Sequence, residues 1–381
     1  MKVLVLAEYY PRLADPVSGI WAHRQALATR AAGAEVRVLV LHRPLPPLSD
    51  PSPRAIAAAL RQPRRVELDG IEVEYLRYLS PPRPLSYGSW GAWAAPALAV
   101  KLRGLHRRFP FDLVHAHYAV PAGDAIRRAL PAAPTLVSVH GHDVYGALAE
   151  HRNVRAALAH ARIVIANSAG TARRSVRSGA SDTRVVHLGA DVPDQPRQPP
   201  ETPTLVTVAH LAARKRHVDV LEALALLRDR HPELRYEIVG DGPERRRLVE
   251  QASSLGVSER VSFRGQLTPQ ESLAAARAAT VFVMPSVDEA FGVAYIEAMA
   301  AGVPSIGCAG EDGPEEIAAA GGGIALVRRA DPQALATEID TLLGDHTAVG
   351  AVARETVRAG FTWSRCGTDT LEAYEQVLAN A

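Results

Sequence analysis

The chain has 381 residues, of which 47% are apolar and 22% are charged, and its net charge is +2. These values are typical of a globular protein of two or three domains, and they exclude a mainly disordered, collagen-like or coiled-coil chain. The small net charge argues against nucleic-acid binding, and the only two cysteines, Cys308 and Cys366, provide no disulfide framework or metal cluster.

The charge is divided unevenly along the chain. Residues 1–188 carry 25 lysines and arginines against 13 acidic residues, whereas the rest of the chain carries 18 against 28. A basic half can attract an anionic substrate or an anionic membrane surface. Two lobes of opposite charge can equally attract each other, and both interpretations stay open on the sequence.

The sequence predicts neither a secretion signal nor a membrane span. The apolar run that begins at Val3 ends at Glu8, which is too short for a signal peptide. No stretch approaches eighteen consecutive apolar residues. We therefore expect a cytoplasmic protein, with peripheral association at the inner face of the membrane as a second option.

Short apolar runs alternate with helical patterns through the first half, which is typical of a parallel α/β sheet. Helices are predicted over 20–32 and 152–160. Strands are predicted at 2–7, 35–41, 71–77, 112–116, 134–139, 162–166 and 184–187. The alternation indicates a Rossmann-like α/β domain over residues 1–190.

A proline-rich segment separates this half from the next. Residues 191–203 contain five prolines, as a semi-rigid linker does. The alternation then restarts, with strands predicted at 204–209, 235–239, 260–264, 280–284, 303–306 and 323–327. We predict a second Rossmann-like domain over 204–362 and a final helix over 363–381 that crosses back to the first domain. Two doubly wound domains on a hinge would place a ligand cleft where the carboxyl ends of both sheets face each other.

Residues 88–108 combine two tryptophans, Trp90 and Trp93, with a basic C-terminal end. Such a segment could be an interfacial helix that touches a membrane. We favour a surface helix packed on the sheet, because an interfacial helix would carry a longer apolar face.

Two carboxylates stand out in the second half. A strand is predicted to end shortly before Glu289, so this residue lies in a loop at the sheet edge where ligands bind. Glu297 follows inside the next helix. A phosphate or a sugar hydroxyl could bind at the start of this helix, to the free N–H groups of Gly292, Val293 and Ala294. A helix-capping acid and a solvated glutamate form the weaker alternative.

His140 is predicted at the end of a strand in the first half. Gly141 follows it and lets a ligand approach the backbone, so we interpret His140 as functional rather than structural. Asp143 could simply cap the next helix.

A third candidate site leaves the first strand of the second domain. His210 is followed by the cations Arg214 and Lys215 beside a helix start, and such cations suit a diphosphate. In the first half, Gly19 precedes the helix 20–32 and offers N–H groups in the same geometry. A solvated basic loop is the alternative for the cations. The sequence contains no Gly-x-Gly-x-x-Gly or Walker motif, so it indicates neither a classical NAD site nor an ATPase.

Together these motifs resemble the retaining glycosyltransferases of family 4, which have the GT-B fold of two facing Rossmann-like domains. The resemblance covers essentially the whole chain. In the first half it rests on Ser18-Gly19, His115-Ala-His117, Val139-His-Gly-His-Asp143 and Ala166-Asn-Ser168. In the second half it rests on Lys215, Gly240-Asp-Gly-Pro243, Phe263-Arg-Gly265, Glu289-Ala-Phe-Gly292 and Glu297. The spacing of the two glutamates is the most specific of these features.

The resemblance implies how a nucleotide-sugar donor would bind. The base would lie near Arg264, and the ribose hydroxyls would lie on Glu297. The diphosphate would contact Lys215, the helix start at Gly19 and the N–H groups after Glu289. His210 departs from the family, which often has arginine there, and Arg214 would compensate.

The resemblance also implies two catalytic residues and no cofactor. Glu289 would hold the hydroxyls of the donor sugar, and His140 would lie beside the reacting carbon. Protein cations and helix ends would neutralise the leaving diphosphate without a metal ion.

We therefore predict a metal-independent, retaining hexosyltransferase that uses a nucleotide-sugar donor, with a UDP-sugar favoured over a GDP-sugar. The acceptor could be lipid-linked, a polysaccharide such as a cell-surface polymer, or a small molecule. The alternatives are a sugar-nucleotide epimerase of the same fold and a two-lobed sugar-binding protein.

Overall fold

The computed structural model describes residues 1–44, 53–195, 197–198 and 200–379. The chain forms two compact units. The first unit comprises Met1–Leu188 together with Trp363–Ala381, and the second comprises Gly189–Thr362. The proline-rich segment at 191–203 therefore falls within the second unit.

The first unit is an α/β sandwich around one sheet. Its strands are β1 Lys2–Ala7, β2 Glu35–His42, β3 Arg65–Leu68, β4 Ile71–Arg77, β5 Leu113–His117, β6 Thr135–Val139, β7 Ile163–Ala166 and β8 Thr183–Val185. Its helices up to β8 are α1 Ile20–Ala31, α2 Pro53–Arg61, α3 Arg83–Ser86, α4 Trp90–Arg108, α5 Asp124–Ala129, α6 Arg152–His160 and α7 Ala169–Arg177. The strand order is β3-β4-β2-β1-β5-β6-β7-β8, and every neighbouring pair is parallel except β3–β4.

The second unit repeats this architecture with a smaller sheet. Its strands are β9 Thr204–Val208, β10 Arg235–Val239, β11 Val261–Gly265, β12 Val281–Val283, β13 Ser305–Cys308 and β14 Ile324–Val327. Its helices are α8 His217–Leu226, α9 Arg245–Ser254, α10 Pro269–Ala278, α11 Val293–Ala300, α12 Asp312–Gly321 and α13 Pro332–Gly360. The parallel strands follow the order β11-β10-β9-β12-β13-β14.

Each predicted strand is present, with ends within two residues of those predicted. The central strand β1 is buried from Val3 to Ala7, because helices cover both faces of a parallel sheet, and it accordingly reads as a continuous apolar run. The strand β3 was not predicted from the sequence. That short antiparallel edge strand alternates charged and apolar residues and has exposed or half-buried side chains throughout.

The helix α4 packs on the core of the first unit, as the interpretation that we favoured predicts. It buries one stripe of residues, namely Trp90, Ala94, Ala95, Leu98, Leu102 and Leu105. The Trp93 side chain on the opposite side is 52% exposed. Within the described ranges, no helix is both long enough and apolar enough to cross a membrane.

The last helix, α14 Trp363–Ala379, returns to the first unit and packs on α1. Gly367 permits the close approach, since a Cβ atom there would lie 2.3 Å from the carbonyl oxygen of Ala28. The Gln25 amide donates to the Thr370 hydroxyl at 3.0 Å. The Tyr374 hydroxyl reaches the Nδ1 atom of His115 at 2.7 Å, at the carboxyl half of β5. The final helix is therefore part of the first unit's core.

Candidate active site

The loops at the carboxyl edge of the second sheet bring the predicted residues together. Lys215 lies in the loop after β9, and Glu289 lies in the loop after β12. These two strands are hydrogen-bonded neighbours, so their loops meet at one edge of the sheet. This is the edge at which open α/β sheets bind ligands.

A buried ion pair lies at the centre of this edge. The Nζ atom of Lys215 is 2.6 Å from Oε2 of Glu289, and the Ser286 hydroxyl donates to the same oxygen at 2.8 Å. Arg214 adds a second positive charge at 3.8 Å from that oxygen. Glu289 is only 8% exposed. The second carboxylate oxygen, Oε1, receives neither of these hydrogen bonds.

The charge state of Glu289 follows from these neighbours. Burial acts to raise its pKa, but the charge of Lys215, its hydrogen bond, the charge of Arg214 and the Ser286 hydroxyl together hold the pKa below its usual value. Glu289 is therefore a carboxylate at neutral pH. A carboxylate in this setting accepts hydrogen bonds from sugar hydroxyls.

Backbone contacts hold the Glu289 loop in place. The N–H group of Glu289 donates to a carboxylate oxygen of Glu311 at 2.9 Å, from the loop after β13. A Cβ atom at Gly313 would lie 2.2 Å from the carbonyl oxygen of Phe291, so this glycine lets α12 pack against the loop. Ser286 and Glu311 were not among the residues predicted from the sequence. Ser286 stands three residues before Glu289 and could have been found from that spacing, whereas Glu311 depends on the order of the strands.

The helix α11 begins directly after this loop. Gly292 is its N-cap with φ of 90°, a conformation that favours glycine, and it provides no capping side chain. The backbone N–H groups of Val293 and Ala294 follow in the first turn of the helix. Glu297 lies further along α11 and is half-buried. The first turn can therefore bind an anion beside Lys215 and Glu289.

The other predicted donor residues are more exposed. His210 is exposed, and a Cβ atom at Gly242 would lie 2.9 Å from its ring, so the loops after β9 and β10 are in contact. Arg264 is exposed on the edge strand β11, where its guanidinium group pairs with Glu237 at 3.3 Å. The structure thus joins Arg214, Lys215 and Glu289 in one cluster and leaves Arg264 outside it. The assignment of Arg264 to the base stays a prediction.

In the first unit, three histidines form a stack: His115 lies in the middle of β5, His117 ends that strand, and His140 directly follows β6. The ring of His117 lies parallel to that of His140, with 5.2 Å between centroids, and their Nδ1 and Nε2 atoms are 2.9 Å apart. His115 stacks on His117 and is hydrogen-bonded at both nitrogens, to Tyr374 and to Ser138. The Nδ1 atom of His140 is buried and has no hydrogen-bond partner in the described part of the chain. A buried polar atom without a partner is unusual in a folded protein, and contact with a ligand is one explanation.

Asp143 does not cap the short helix that follows it, Gly146–Glu150, contrary to the alternative considered from the sequence. It is fully buried and accepts hydrogen bonds from the N–H groups of Ala119, at 3.0 Å, and His140, at 3.4 Å. It therefore ties the loop after β5 to the loop after β6. This contact fixes the backbone on which His140 stands.

Gly19 lies at the start of α1, on the same edge of the first sheet. Its φ is 63°, and a Cβ atom there would lie 2.2 Å from the carbonyl carbon of Tyr9. The ring of Trp21, in the first turn of α1, is 6.0 Å from that of His140. The structure therefore places Gly19 and His140 at one edge of the first unit.

Burial keeps the stacked histidines neutral. It lowers the pKa of His115 to about 3 and that of His140 to about 3, and it lowers the pKa of His117 well below its usual value. A neutral pair holds one proton between Nδ1 of His117 and Nε2 of His140. The free nitrogen of His140 then donates or accepts according to which ring holds that proton.

The lowered pKa values of these histidines predict that acid destabilises the first unit. In the unfolded chain a histidine takes up a proton as the pH falls below about 6.5, whereas the buried His115 stays neutral. The stability that depends on the neutral form is complete above that pH and is lost as the pH falls. Between pH 7 and pH 5 we expect a loss of roughly 2 kcal/mol for His115 alone.

Urea unfolding at several pH values measures this loss. A His115→Asn variant should show a smaller dependence of its unfolding midpoint on pH, whatever its stability at pH 7. The matched control is His106→Asn, at an exposed position on α4. If both variants retain the dependence of the parent protein, the buried histidine is not its source.

Comparison with known proteins places the chain in a family. A "Glycosyl transferase 4-like domain" matches residues 18–189, and "Glycosyl transferases group 1" matches residues 191–356. Glycogen synthase of Mycobacterium tuberculosis is 27% identical over 398 aligned positions, which cover 98% of this chain and 94% of that protein.

Two solved structures show the same fold. Sucrose-phosphate synthase from Thermosynechococcus elongatus has a TM-score of 0.79 at 22% identity and covers both chains completely. Anabaena Alr3699/HepE, solved in complex with UDP and glucose, has a TM-score of 0.73 at 21% identity, over 99% of this chain and all of the other. With two glycosyl transferase domains in succession and this fold, the chain belongs to the glycosyltransferases of the GT-B fold, as the predicted resemblance to family 4 implies.

Proposed function

We propose that this glycosyltransferase moves a hexose from a nucleotide-diphosphate donor and retains the configuration of the anomeric carbon. The observation that carries the proposal is the cluster of Lys215, Arg214 and Glu289 beside the first turn of α11. Cations and helix N–H groups suit a diphosphate, and a carboxylate suits the hydroxyls of the sugar attached to it.

The residues of the cluster have distinct roles in this proposal. Lys215 and the first turn of α11 bind the diphosphate and stabilise its charge as it leaves, in place of a metal ion. Glu289 orients the sugar. Its carboxylate is buried, and the hydrogen bond from Lys215 fixes its orientation. Glu297 binds the ribose hydroxyls, and Gly19 contributes backbone N–H groups to the phosphates.

His140 binds the transferred sugar through its free Nδ1 atom in this proposal. A neutral imidazole adds a hydrogen bond without placing a positive charge beside a reacting carbon that itself becomes positive. The leaving phosphate oxygen takes the proton of the acceptor hydroxyl on the same face of the sugar. This route yields retention without a protein base.

We favour UDP over GDP as the nucleoside diphosphate of the donor. The Anabaena protein of the same fold is described in complex with UDP, with UDP-glucose and with UDP and glucose. The mannosyltransferases among the relatives are named as dependent on GDP-mannose. GDP-sugars are therefore tested beside UDP-sugars. The acceptor in our proposal is a lipid-linked sugar, a polysaccharide or a small molecule.

The proposal is tested by incubating the protein with UDP- and GDP-sugars and an acceptor library in the presence of EDTA. Proton NMR of the product should show the same anomeric configuration as the donor. Inversion would refute retention, and activity that returns only with added divalent ions would refute metal independence. Conversion of the donor to an epimer without any acceptor would replace the proposal with the epimerase alternative.

The proposed role of Glu297 predicts that its loss weakens the binding of the nucleoside diphosphate. Glu297→Ala should weaken the affinity for the nucleoside diphosphate by about tenfold, because it removes the hydrogen bonds to the ribose. Calorimetric titration with UDP measures the loss, and Glu250→Ala, at an exposed site on α9, is the control. Unchanged affinity of the Glu297 variant would refute the ribose assignment.

The position of His210 can be tested by adding a permanent positive charge there. His210→Arg places a guanidinium group beside the loop of Arg214 and Lys215, so its affinity for UDP should exceed that of the parent protein. Calorimetric titration with UDP measures the difference. Equal affinities for the two proteins would show that this position does not contact the diphosphate.

A further inference from the structure

Three arginines surround one buried carboxylate at the carboxyl edge of the first sheet. Glu8 follows β1 directly, Arg43 follows β2, and Arg83 begins α3. Arg12 lies in the loop after Glu8. All three guanidinium groups act electrostatically on Glu8, which is 6% exposed. We refer to Glu8 and the three arginines as the arginine cluster.

The arginine cluster differs from an ion-pair network that serves only to neutralise a carboxylate. Glu74 represents that second kind, because Arg65 lies 3.4 Å and Arg108 3.5 Å from its Oε1 atom, and Lys101 pairs with its Oε2 atom. The Glu8 carboxylate instead accepts its hydrogen bond from the Tyr87 hydroxyl at 2.8 Å. Both groups have three cations for one carboxylate, but in the arginine cluster a tyrosine rather than a cation donates to the carboxylate.

Aromatic rings hold two of the guanidinium groups. The guanidinium carbon of Arg83 lies 4.0 Å from the ring centroid of Tyr87, and that of Arg43 lies 5.1 Å from the ring centroid of Trp90. Arg43 also donates from Nε to the Ser80 hydroxyl at 3.0 Å. Guanidinium groups fixed in this way lose little freedom when an anion binds.

Two polar groups of the same region lack a partner. The Tyr78 hydroxyl and the Nε atom of Arg12 are buried and make no hydrogen bond within the described part of the chain. Tyr78 is 4% exposed, and its hydroxyl lies within electrostatic reach of Glu8 and Arg43. Buried donors without partners destabilise a protein, and both of these donors could bond to an anion.

We propose that the arginine cluster and Tyr78 bind an anionic group on the acceptor, so that the acceptor carries a phosphate or a carboxylate near the hydroxyl that is glycosylated. The inference rests on the proposed function and adds the chemical class of the acceptor. The planar fork of a guanidinium group matches both oxyanions. Burial raises the pKa of Glu8 despite the arginines, and it raises the pKa of the neighbouring Asp143 to about 7, which weakens the two negative charges that would oppose the anion.

The fluorescence of Trp90 offers a direct test, because this ring packs against Tyr78, Tyr87 and Arg43. The protein is titrated with glycerol 3-phosphate and with glycerol, in the presence of saturating UDP to fill the donor site. We expect a saturable change with the phosphate ester, none with glycerol, and none in a Trp90→Phe variant.

Substitutions show whether the anion binds to the arginine cluster or to positive charge elsewhere on the surface. Arg83→Gln should weaken the binding of glycerol 3-phosphate by about tenfold or more, whereas Arg103→Gln, at an exposed site on α4, should leave it unchanged. Arg12→Gln serves as a second variant if Arg83→Gln does not fold by circular dichroism. An equal response to glycerol and to its phosphate, or equal affinity in the cluster variants and the parent, overturns the proposal.

Binding to lipid vesicles shows whether the anion belongs to a lipid headgroup or to a soluble acceptor. Sedimentation with phosphatidylglycerol vesicles that depends on Arg83, and a lack of it with phosphatidylcholine, identifies a lipid headgroup. Binding of the soluble ester alone identifies a soluble acceptor. Transfer of sugar to a neutral acceptor without phosphate binding refutes this inference and leaves the proposed function intact, whereas absence of UDP binding refutes the proposed function.

Discussion

Replacing Glu289 with alanine is expected to reduce sugar transfer by about 100-fold or more. The change removes the carboxylate that is proposed to orient the sugar, and groups of this kind are worth about 10²–10³ in turnover. It also leaves Lys215 buried without the oxygen that lies 2.6 Å from it. The loss of one partner of a buried pair costs about 3–5 kcal/mol of stability, so activity alone would not separate the two effects.

Glu289→Gln provides that separation. A glutamine side chain has the same shape, and its carbonyl oxygen can still accept from Lys215 and Ser286. We expect this variant to remain folded, by its thermal midpoint, and to transfer sugar more slowly than the parent protein. A folded Glu289→Gln variant with the turnover of the parent would contradict the role of the carboxylate in catalysis.

The second large effect is expected at His140. His140→Ala should lower turnover by about 100-fold and leave the affinity for the nucleoside diphosphate unchanged, because His140 is proposed to contact the transferred sugar and not the diphosphate. The Nε2 atom already contacts His117, so the free Nδ1 atom is the one proposed to bind the sugar.

Two amide variants test which nitrogen acts. The amide of asparagine lies close to the position of Nδ1, and that of glutamine lies close to the position of Nε2. His140→Asn should therefore retain more turnover than His140→Gln in initial-rate measurements with a saturating donor. The opposite order would assign the sugar contact to Nε2 and would contradict the proposed role of the free nitrogen.

Much of the fold could be predicted because parallel strands are buried on both faces. The strands β1, from Val3 onward, and β12 read as uninterrupted apolar runs, and the loops after them carry the candidate residues Gly19 and Glu289. The edge strand β3 was missed, because its side chains are partly exposed and its sequence lacks such a run.

Several residues of the candidate site could be predicted from the sequence, but the contacts between them could not. The sequence indicated Lys215 and Glu289 separately, and only the pairing of β9 with β12 brings them to 2.6 Å. The role of Glu311 requires that β13 lie next to β12. The contact of His117 with His140 likewise depends on the pairing of β5 with β6. These contacts follow from strand order, which residue spacing does not encode.

The central claim is that the second unit binds a nucleoside diphosphate without a metal ion. The most direct measurement is a thermal-shift panel in EDTA with UDP, GDP, ADP, their sugar conjugates and free sugars, since a ligand that binds the folded state raises the melting temperature. We expect a shift with one diphosphate and its conjugates that is lost in Lys215→Ala. A shift with free sugars alone, and none with any nucleotide, would contradict the account and indicate a sugar-binding protein.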